Sequence, residues 1–306
     1  MPTVLITGGT GTIGSQLTHL LLQKGYNVTI LTRKVKTHQT PHVHFAEWDV
    51  TKGTIDIKAV QAADYIIHLA GAGIADKRWT GSRKREIVES RVKSSALLVK
   101  ALQENQHNIK AVISASAIGY YGVDTTASKQ NGFREDDPPS NDFLGSTCQQ
   151  WEASIQPVEK LGVRLVKLRT GIALSTRGGA LLAFLKPLNL GLATILGSGD
   201  QMMSWIHIDD LCRMYLYALE NESLKGVYNA SAAEVVTDKK FVLALAKETR
   251  ANAYIPVHVP GFVLKLVLGE MSQEVLKSTT INNAAIKATG FQFLYPSLEA
   301  ALQNLK

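Results

Sequence analysis

The 306-residue sequence predicts an α/β fold, a doubly wound parallel sheet with a smaller C-terminal region. Three observations predict it. Short runs rich in Val and Ile alternate with longer amphipathic stretches. The short runs are continuously apolar, as strands covered by helices on both faces must be. After about residue 171 the rhythm changes to Gly- and Leu-rich loops and shorter segments.

The strands are read in order as VLIT near residue 5, VTIL near 30, a third ending before Asp49, YIIHLA near 67, AVIS near 112 and VRLVKL near 166. Between the first two, Ile13, Leu17, Leu20 and Leu21 fall at i, i+4, i+7 and i+8, one face of a helix that stops near Gly25. A second long helix is expected from Ser82 to Asn105, burying Ile87, Val88, Val92, Leu98, Ala101 and Leu102, and another from about Ser146 to Leu161. The expected division is a nucleotide-binding domain over residues 1–171, with return segments around 200–230, and a smaller substrate-cleft region over 172–306 that includes the tail 250–302. That region is placed over the carboxyl edge of the sheet, where open α/β sheets bind ligands.

Composition narrows the functional classes. The formal charge of +7 is spread along the chain, and its one cluster, Arg83, Lys84 and Arg85, reads as the solvated face of a helix, so no nucleic-acid partner is expected. Cys148 and Cys212 have neither disulfide-framework nor metal-ligand spacing, which points to a reducing compartment and no metal. The most apolar later stretch, Ile255 to Leu268, is broken by Pro256, His258, Pro260, Gly261 and Lys265, so no membrane partner is expected either. With no signal-like N-terminal segment, the expected location is cytoplasmic.

The segment TGGTGTIG follows the first strand directly and opens the first helix, with Gly8, Gly11 and Gly14 in G-x-x-G-x-x-G spacing. Such glycines serve a tight turn, close approach of backbone to phosphate, and close helix-to-sheet packing. Amide groups from Thr10, Gly11, Thr12 and Ile13 would then face a dinucleotide pyrophosphate at the positive helix end. This is a Rossmann fold signature. At the end of the second strand, where an NAD site places Asp or Glu on the ribose, stand Thr32 and Arg33, followed by Lys34. A guanidinium there suits a 2′-phosphate, so NADP(H) is favoured over NAD(H). Asp49 is read either as an acceptor for the adenine amino group or as a loop-capping residue.

Taken with HLAG at 68–71, ISASAIGYYG at 113–122 and LRTG at 168–171, the glycine motif resembles the extended short-chain dehydrogenase/reductase group of epimerases and dehydratases. ADKRW (75–79), SRVKSS (90–95), GSGDQ with SWIHIDDL (197–211), LGEM (268–271) and GFQFLYPSLEAAL (290–302) narrow the likeness to its atypical YfcH-like branch, over essentially the whole chain. The resemblance implies a substrate cleft between the Rossmann domain and the C-terminal part, with Leu69, Ala70 and Gly71 lining the cofactor. It also implies that Glu86 and Arg91 face its phosphates and riboses, and that Ile172 lies near the nicotinamide. Family members often pair through the two long helices, so a monomer or a homodimer is expected.

Enzymes of the wider family use a Tyr-x-x-x-Lys pair on one helix face, the lysine lowering the tyrosine pKa and positioning the ribose. None of the nine tyrosines here has a lysine four residues on. Aligning Glu152 with the usual helix glutamate puts Leu144 at the tyrosine position and Cys148 at the lysine position. Ser116 matches the family's catalytic serine. Tyr120 and Tyr121 are candidate phenols and His207 a candidate titrating group, against structural roles for each. Cys148 reads as an inert buried thiol, and Arg169 and Asp209 as architecture. The expectation is an NADP-dependent reductase, epimerase or dehydratase acting on an unidentified small carbonyl or sugar-like substrate with a nonstandard acid/base. The alternative is a noncatalytic NADP(H)-binding or redox-sensing protein that presents a cofactor-dependent surface to a partner.

Overall fold

A computed structural model of the chain describes residues 1–35, 41–251 and 253–305. In its first half, strands β1 (Thr3–Thr7), β2 (Asn27–Thr32), β3 (Val43–Asp49), β4 (Thr54–Ile55), β5 (Tyr65–His68), β6 (Ala111–Ala117) and β7 (Arg164–Thr170) are interleaved with helices. These are α1 (Thr12–Gln23), α2 (Ile57–Gln61), α3 (Gly81–Glu104), α4 (Thr126–Asn131) and α5 (Phe143–Ile155). The second half carries β8 (Ile172–Leu174), β9 (Leu192–Leu196), β10 (Met202–Met203), β11 (Trp205–His207), β12 (Gly226–Ala230), β13 (Val236–Thr237) and β14 (Ile255–Val259). Its helices are α6 (Ala180–Leu188), α7 (Ile208–Glu220), α8 (Asp238–Arg250), α9 (Gly261–Leu268), α10 (Ser272–Leu276), α11 (Ala284–Ala288) and α12 (Leu298–Asn304).

The main sheet runs β12-β7-β6-β5-β1-β2-β3-β4, parallel except for β4, which pairs antiparallel with β3. Neighbours β2 and β5 flank β1, so the chain leaves β1 to one side and returns on the other. In open α/β sheets the loops that diverge at such a point flank a ligand crevice at the carboxyl ends of the strands. Side chains alternate across the sheet: Val4 and Ile6 enter a core with Leu17 and Leu21 of α1 and Leu211 and Tyr215 of α7, whereas Leu5 enters a second core with Leu98 and Leu102 of α3. A third core, built around Trp205, Phe241, Leu181 and Leu298, holds the later elements together.

The C-terminal tail is not confined to that third core, which its last helix joins. Ile286 and Phe291 are buried in the first core, beneath the sheet. Asn282 and Asn283 bond to Asn229 and Ser231 at the end of β12. Asp210 of α7, fully buried, accepts the amides of Leu294 and Tyr295 at 2.7 and 2.9 Å.

Three expectations need correction. The α-helix expected over Ser146 to Leu161 starts at Phe143, capped by Asp142, and ends at Ile155. Pro157, which has no N–H to give, leads a 3₁₀ turn through Leu161 instead. On α3, Val88 and Val92 are only half-buried, while Arg83, Ser94 and Ser95 are buried. Arg83 therefore leaves the solvated basic face: its guanidinium bonds Glu86, Asp76 and the Gly73 carbonyl, stapling the loop after β5 to α3.

Candidate functional site

The glycine turn has the geometry its sequence suggests. Gly8 takes φ +69°, and a Cβ there would lie 3.0 Å from the Leu69 carbonyl. At Gly14 a Cβ would lie 2.4 Å from the Gly8 oxygen and 2.5 Å from the Gly9 Cα, a separation no side chain tolerates. The Gly11 amide donates to the Gly8 carbonyl, closing the turn. Gly11 is the N-cap of α1, and no side chain caps the helix. The first-turn amides of Thr12, Ile13 and Gly14 are left for a ligand at the positive helix end, with Thr10 and Gly11 exposed above them.

A buried polar chain holds the opposite wall. Leu69 and Ala70 donate their amides to Thr7 Oγ1 at 3.1 Å, so the Thr7 hydrogen goes to His68 Nδ1 at 2.7 Å. The His68 proton is then on Nε2, which donates to Ser95 Oγ, and Ser95 passes its own hydrogen to the Arg91 carbonyl. Burial pushes the His68 pKa down to about 3, so the ring stays neutral. This chain ties β1, β5 and α3 together directly under Leu69, Ala70 and Gly71. Sequence reading missed Thr7, His68 and Ser95 as a unit; the His of HLAG was its one visible trace.

At the end of β2, Thr32 Oγ1 accepts the Lys34 amide. Arg33 is exposed, and its guanidinium has no hydrogen-bond or ion-pair partner among the described residues. Asp49 caps the loop after β3: Oδ1 accepts the amides of Thr51 and Lys52 at 2.9 and 3.2 Å, and Oδ2 faces Lys52.

On the other half of the crevice, Arg91 is anchored by Nη1, which donates to the carbonyls of Ala72 and Ile87. Its Cζ stands 5.0 Å from the Trp151 ring centroid. Gly71 makes room for it, since a Cβ there would lie 3.2 Å from Cζ. Glu86 is differently placed from the expectation: its carboxylate is exposed and accepts from Arg83 Nη1 at 2.7 Å, a bond that holds its pKa down. Leu144 is buried against Trp79 and Ile87, with Phe143 and Met271 beside them. Cys148 is buried as well, and burial pushes its thiol up to about 12, so it supplies no thiolate.

Ser116 lies near the end of β6, and it donates to Glu152 Oε1 at 2.7 Å. Glu152 in turn is held by Arg169 in a two-pronged pair, Nε to Oε1 at 2.8 Å and Nη2 to Oε2 at 3.0 Å. Arg169 Nη1 continues to the Tyr121 hydroxyl, which donates to Asn229 Oδ1. All five residues are buried. The reading of Tyr121 as a cleft phenol is corrected accordingly: its oxygen is engaged on both sides, and burial raises its pKa further above the usual phenol range. Ser116 has its only hydrogen committed to a carboxylate. Tyr120 is half-buried, with the Arg169 guanidinium 3.4 Å from its ring centroid.

Ile172 opens β8 in register with Trp205 of β11. A Cβ on Gly178, in the loop after β8, would sit 2.2 Å from Thr12 Oγ1, so this loop lies against the start of α1. His207 is buried; its Nδ1 accepts the Asp209 amide as the N-cap of α7, and Asp209 accepts from Gln16 of α1. Both brace the fold. No group of metal-ligating side chains occurs among the described residues, and no helix of these is long and apolar enough to cross a membrane.

The family model for the NAD dependent epimerase/dehydratase family matches residues 4–231, and that for a domain of unknown function, DUF1731, matches 259–305. The chain belongs to the NAD-dependent epimerase/dehydratase family. It is 38% identical over 303 residues to an epimerase family protein of Staphylococcus saprophyticus, covering 98% of each chain. Its fold matches the crystal structure of human epimerase family protein SDR39U1 (isoform 2) with NADPH at a TM-score of 0.86 and 31% identity, over 99% of this chain and 98% of that one. It also matches UDP-N-acetylglucosamine 4-epimerase from Bacillus cereus at a TM-score of 0.77 over 100% and 98% of the two chains; at 17% identity this likeness is one of fold. This family member is thus an extended short-chain dehydrogenase/reductase with a nucleotide-binding Rossmann sheet.

Proposed function

We propose that this family member binds NADP(H) in preference to NAD(H) and uses it for redox chemistry, reduction or epimerisation, on a small carbonyl or sugar-like substrate. The observation that carries the cofactor choice is Arg33, an exposed guanidinium with no partner among the described residues, at the end of β2 where an NAD site needs a carboxylate. The NADPH in the crystal structure of the human relative supports the same choice. The uncapped first turn of α1, with no room for a side chain at Gly8 or Gly14, fits a pyrophosphate.

When bound, the nicotinamide supplies a hydride donor or acceptor. The chain's own part is to bind, orient and exclude water. Amides at the start of α1 take the pyrophosphate, the Thr7–His68–Ser95 chain fixes the wall at Leu69 to Gly71, and Leu144 with Trp79 and Met271 forms a dry apolar face. Tyr120, half-buried beside Arg169, is the phenol left nearest the β6 end, and the proton comes from it or from water. The decisive experiment is calorimetric titration with NADPH and NADH, native and Arg33→Ala. NADPH is expected to bind at least tenfold tighter, on the order of one charge-assisted pair, and Arg33→Ala to erase most of that ratio. Equal affinities in the native protein would end the 2′-phosphate argument.

One set of observations favours the second reading, a noncatalytic NADP(H) sensor. Leu144 and Cys148 stand where the proton relay belongs, and Ser116 is bonded to Glu152. Stoichiometric NADPH binding without oxidation across a broad panel of carbonyl compounds would select it.

A further inference from the structure

Large apolar side chains left in solvent gather in two short stretches, Leu190 and Leu192 in one, Ile255, Val257, Phe262 and Leu266 in the other, each 37–80% exposed. The stretches meet because β9 pairs with β14, with Leu192 beside Ile255. Alternation puts Ile255, Val257 and Val259 on the same face of this two-stranded sheet as Leu192, while Ala193 and Ile195 enter the third core. After Pro260 comes α9, GFVLKLVL, apolar but for Lys265. A helix apolar on nearly every side is ordinarily covered all round. Here α9 buries Leu264 and leaves Phe262 and Leu266, one turn apart, in water. The stretch whose Pro, Gly and Lys residues stop it from spanning a bilayer is thus laid open on the surface, in a patch that asks for a partner.

Two features select that partner. Strand addition by another chain is weakened, because the Ile255 N–H donates to Gly191 and so turns Pro256, which has no N–H, to the outer edge of β14. The surround is also basic. Arg250 donates Nε and Nη2 to the carbonyls of Leu188 and Asn189, which plants its guanidinium beside Leu190. Lys186 and Lys247 stand exposed in the last turns of α6 and α8, and Lys265 is exposed on α9 itself. The carboxylates nearby, Glu248, Glu270 and Glu274, all have partners, Lys84 and Lys277 for the last two. Two copies of this face would set like charges against each other, whereas an anionic lipid surface suits both its cations and its apolar side chains. We propose that the outer face of β9 and β14, with α9, docks this protein on an anionic membrane surface. Phe262 and Leu266 enter the headgroup boundary, and Lys186, Lys247, Arg250 and Lys265 face lipid phosphates. Docking is peripheral: α9 is about 12 Å long against a hydrocarbon core of about 30 Å. The proposal stands apart from the cofactor reading.

The test is sedimentation of the full chain with vesicles of phosphatidylcholine alone and of phosphatidylcholine with phosphatidylglycerol in equal parts. Native protein is expected to bind the mixed vesicles at least about tenfold tighter than the neutral ones, and less tightly as salt screens the phosphates. Phe262→Ser/Leu266→Ser is expected to lose at least about tenfold, since both side chains leave water in the bound state. Lys186→Gln/Lys265→Gln is expected to lose about tenfold on mixed vesicles, and it carries the test if the apolar variant does not fold. Val123→Ser, at an exposed valine elsewhere on the surface, should leave binding unchanged. No sedimentation of native protein with mixed vesicles, equal affinity for the two vesicle types, an unchanged affinity in either folded double variant, or a loss as large in Val123→Ser would each overturn the proposal. So would a native dimer by light scattering that Phe262→Ser/Leu266→Ser splits into monomers, which would give the face to a second copy.

Discussion

Replacing Glu152 by Gln removes one charge from the middle of a buried network and changes almost nothing in shape. Glu152 and Arg169 are 7% and 3% exposed, and the carboxylate accepts both prongs of the guanidinium as well as the Ser116 hydroxyl. In the variant, one of the two acceptors facing Arg169 becomes an NH₂ group, and the guanidinium is left without a counter-charge at contact distance. Lys167, 3.8 Å from Glu152, loses its nearest carboxylate too. Breaking a buried pair on one side costs about 3–5 kcal/mol, several times an exposed pair. Urea unfolding followed by far-UV circular dichroism should show that loss as a lower midpoint at unchanged slope, with a fall in Tm on the order of 10 °C. Glu152→Leu/Arg169→Met, which removes both charges, should recover most of it. A loss below about 1 kcal/mol for Glu152→Gln would refute the assignment, and with it the argument that Ser116 is held as part of this network.

Two further outcomes follow from geometry and titration. Gly14→Ala places a methyl 2.4 Å from the Gly8 oxygen, so the turn must open; NADPH binding by calorimetry should fall beyond detection even where the variant stays folded, and native-like affinity would contradict the cradle. His68, held down to about 3 from 6.5, stabilises the fold above pH 6.5, and that contribution is lost as pH falls toward 3, by up to about 1.4 kcal/mol per unit. Asp238, buried and raised to about 6 from 3.8, acts in the opposite sense, adding stability as pH falls through 6. The two offset each other between pH 6 and 3.8, so Asp238→Asn should make the urea midpoint drop more steeply over that window; parallel curves for native and variant would sink the account.

What was legible in the sequence was local. Strands such as VLIT and AVIS declare themselves by unbroken apolarity, and Gly8, Gly11 and Gly14 by spacing within one turn and one helix. What was hidden depends on partners far along the chain. Charge alone sent Arg83 to the surface, because nothing local shows that the loop carrying Gly73 and Asp76 folds back over it. Tyr121 looked like a free phenol because its acceptor, Asn229, is 108 residues away. Family resemblance put Cys148 at the lysine position and Arg91 near the cofactor, but the packing of Arg91 over Trp151 of α5 joins residues 60 apart and had no local trace. Asp49 caps its own loop through the amides of Thr51 and Lys52, the one of its two readings that local structure can show.

The tail's return beneath the sheet sets a schedule for synthesis. β12, the outer strand that completes the sheet, emerges at residue 230, yet the asparagines that fasten its end are made more than fifty residues later. Asp210 waits longer still: its carboxylate sits in the interior, and two of its acceptor bonds need the amides of Leu294 and Tyr295. A nascent chain halted at the end of the epimerase-family match would carry every residue of the glycine turn and still have an unsealed floor under it. Those bonds can form only once the ribosome has delivered the tail, so the floor under the turn is sealed last.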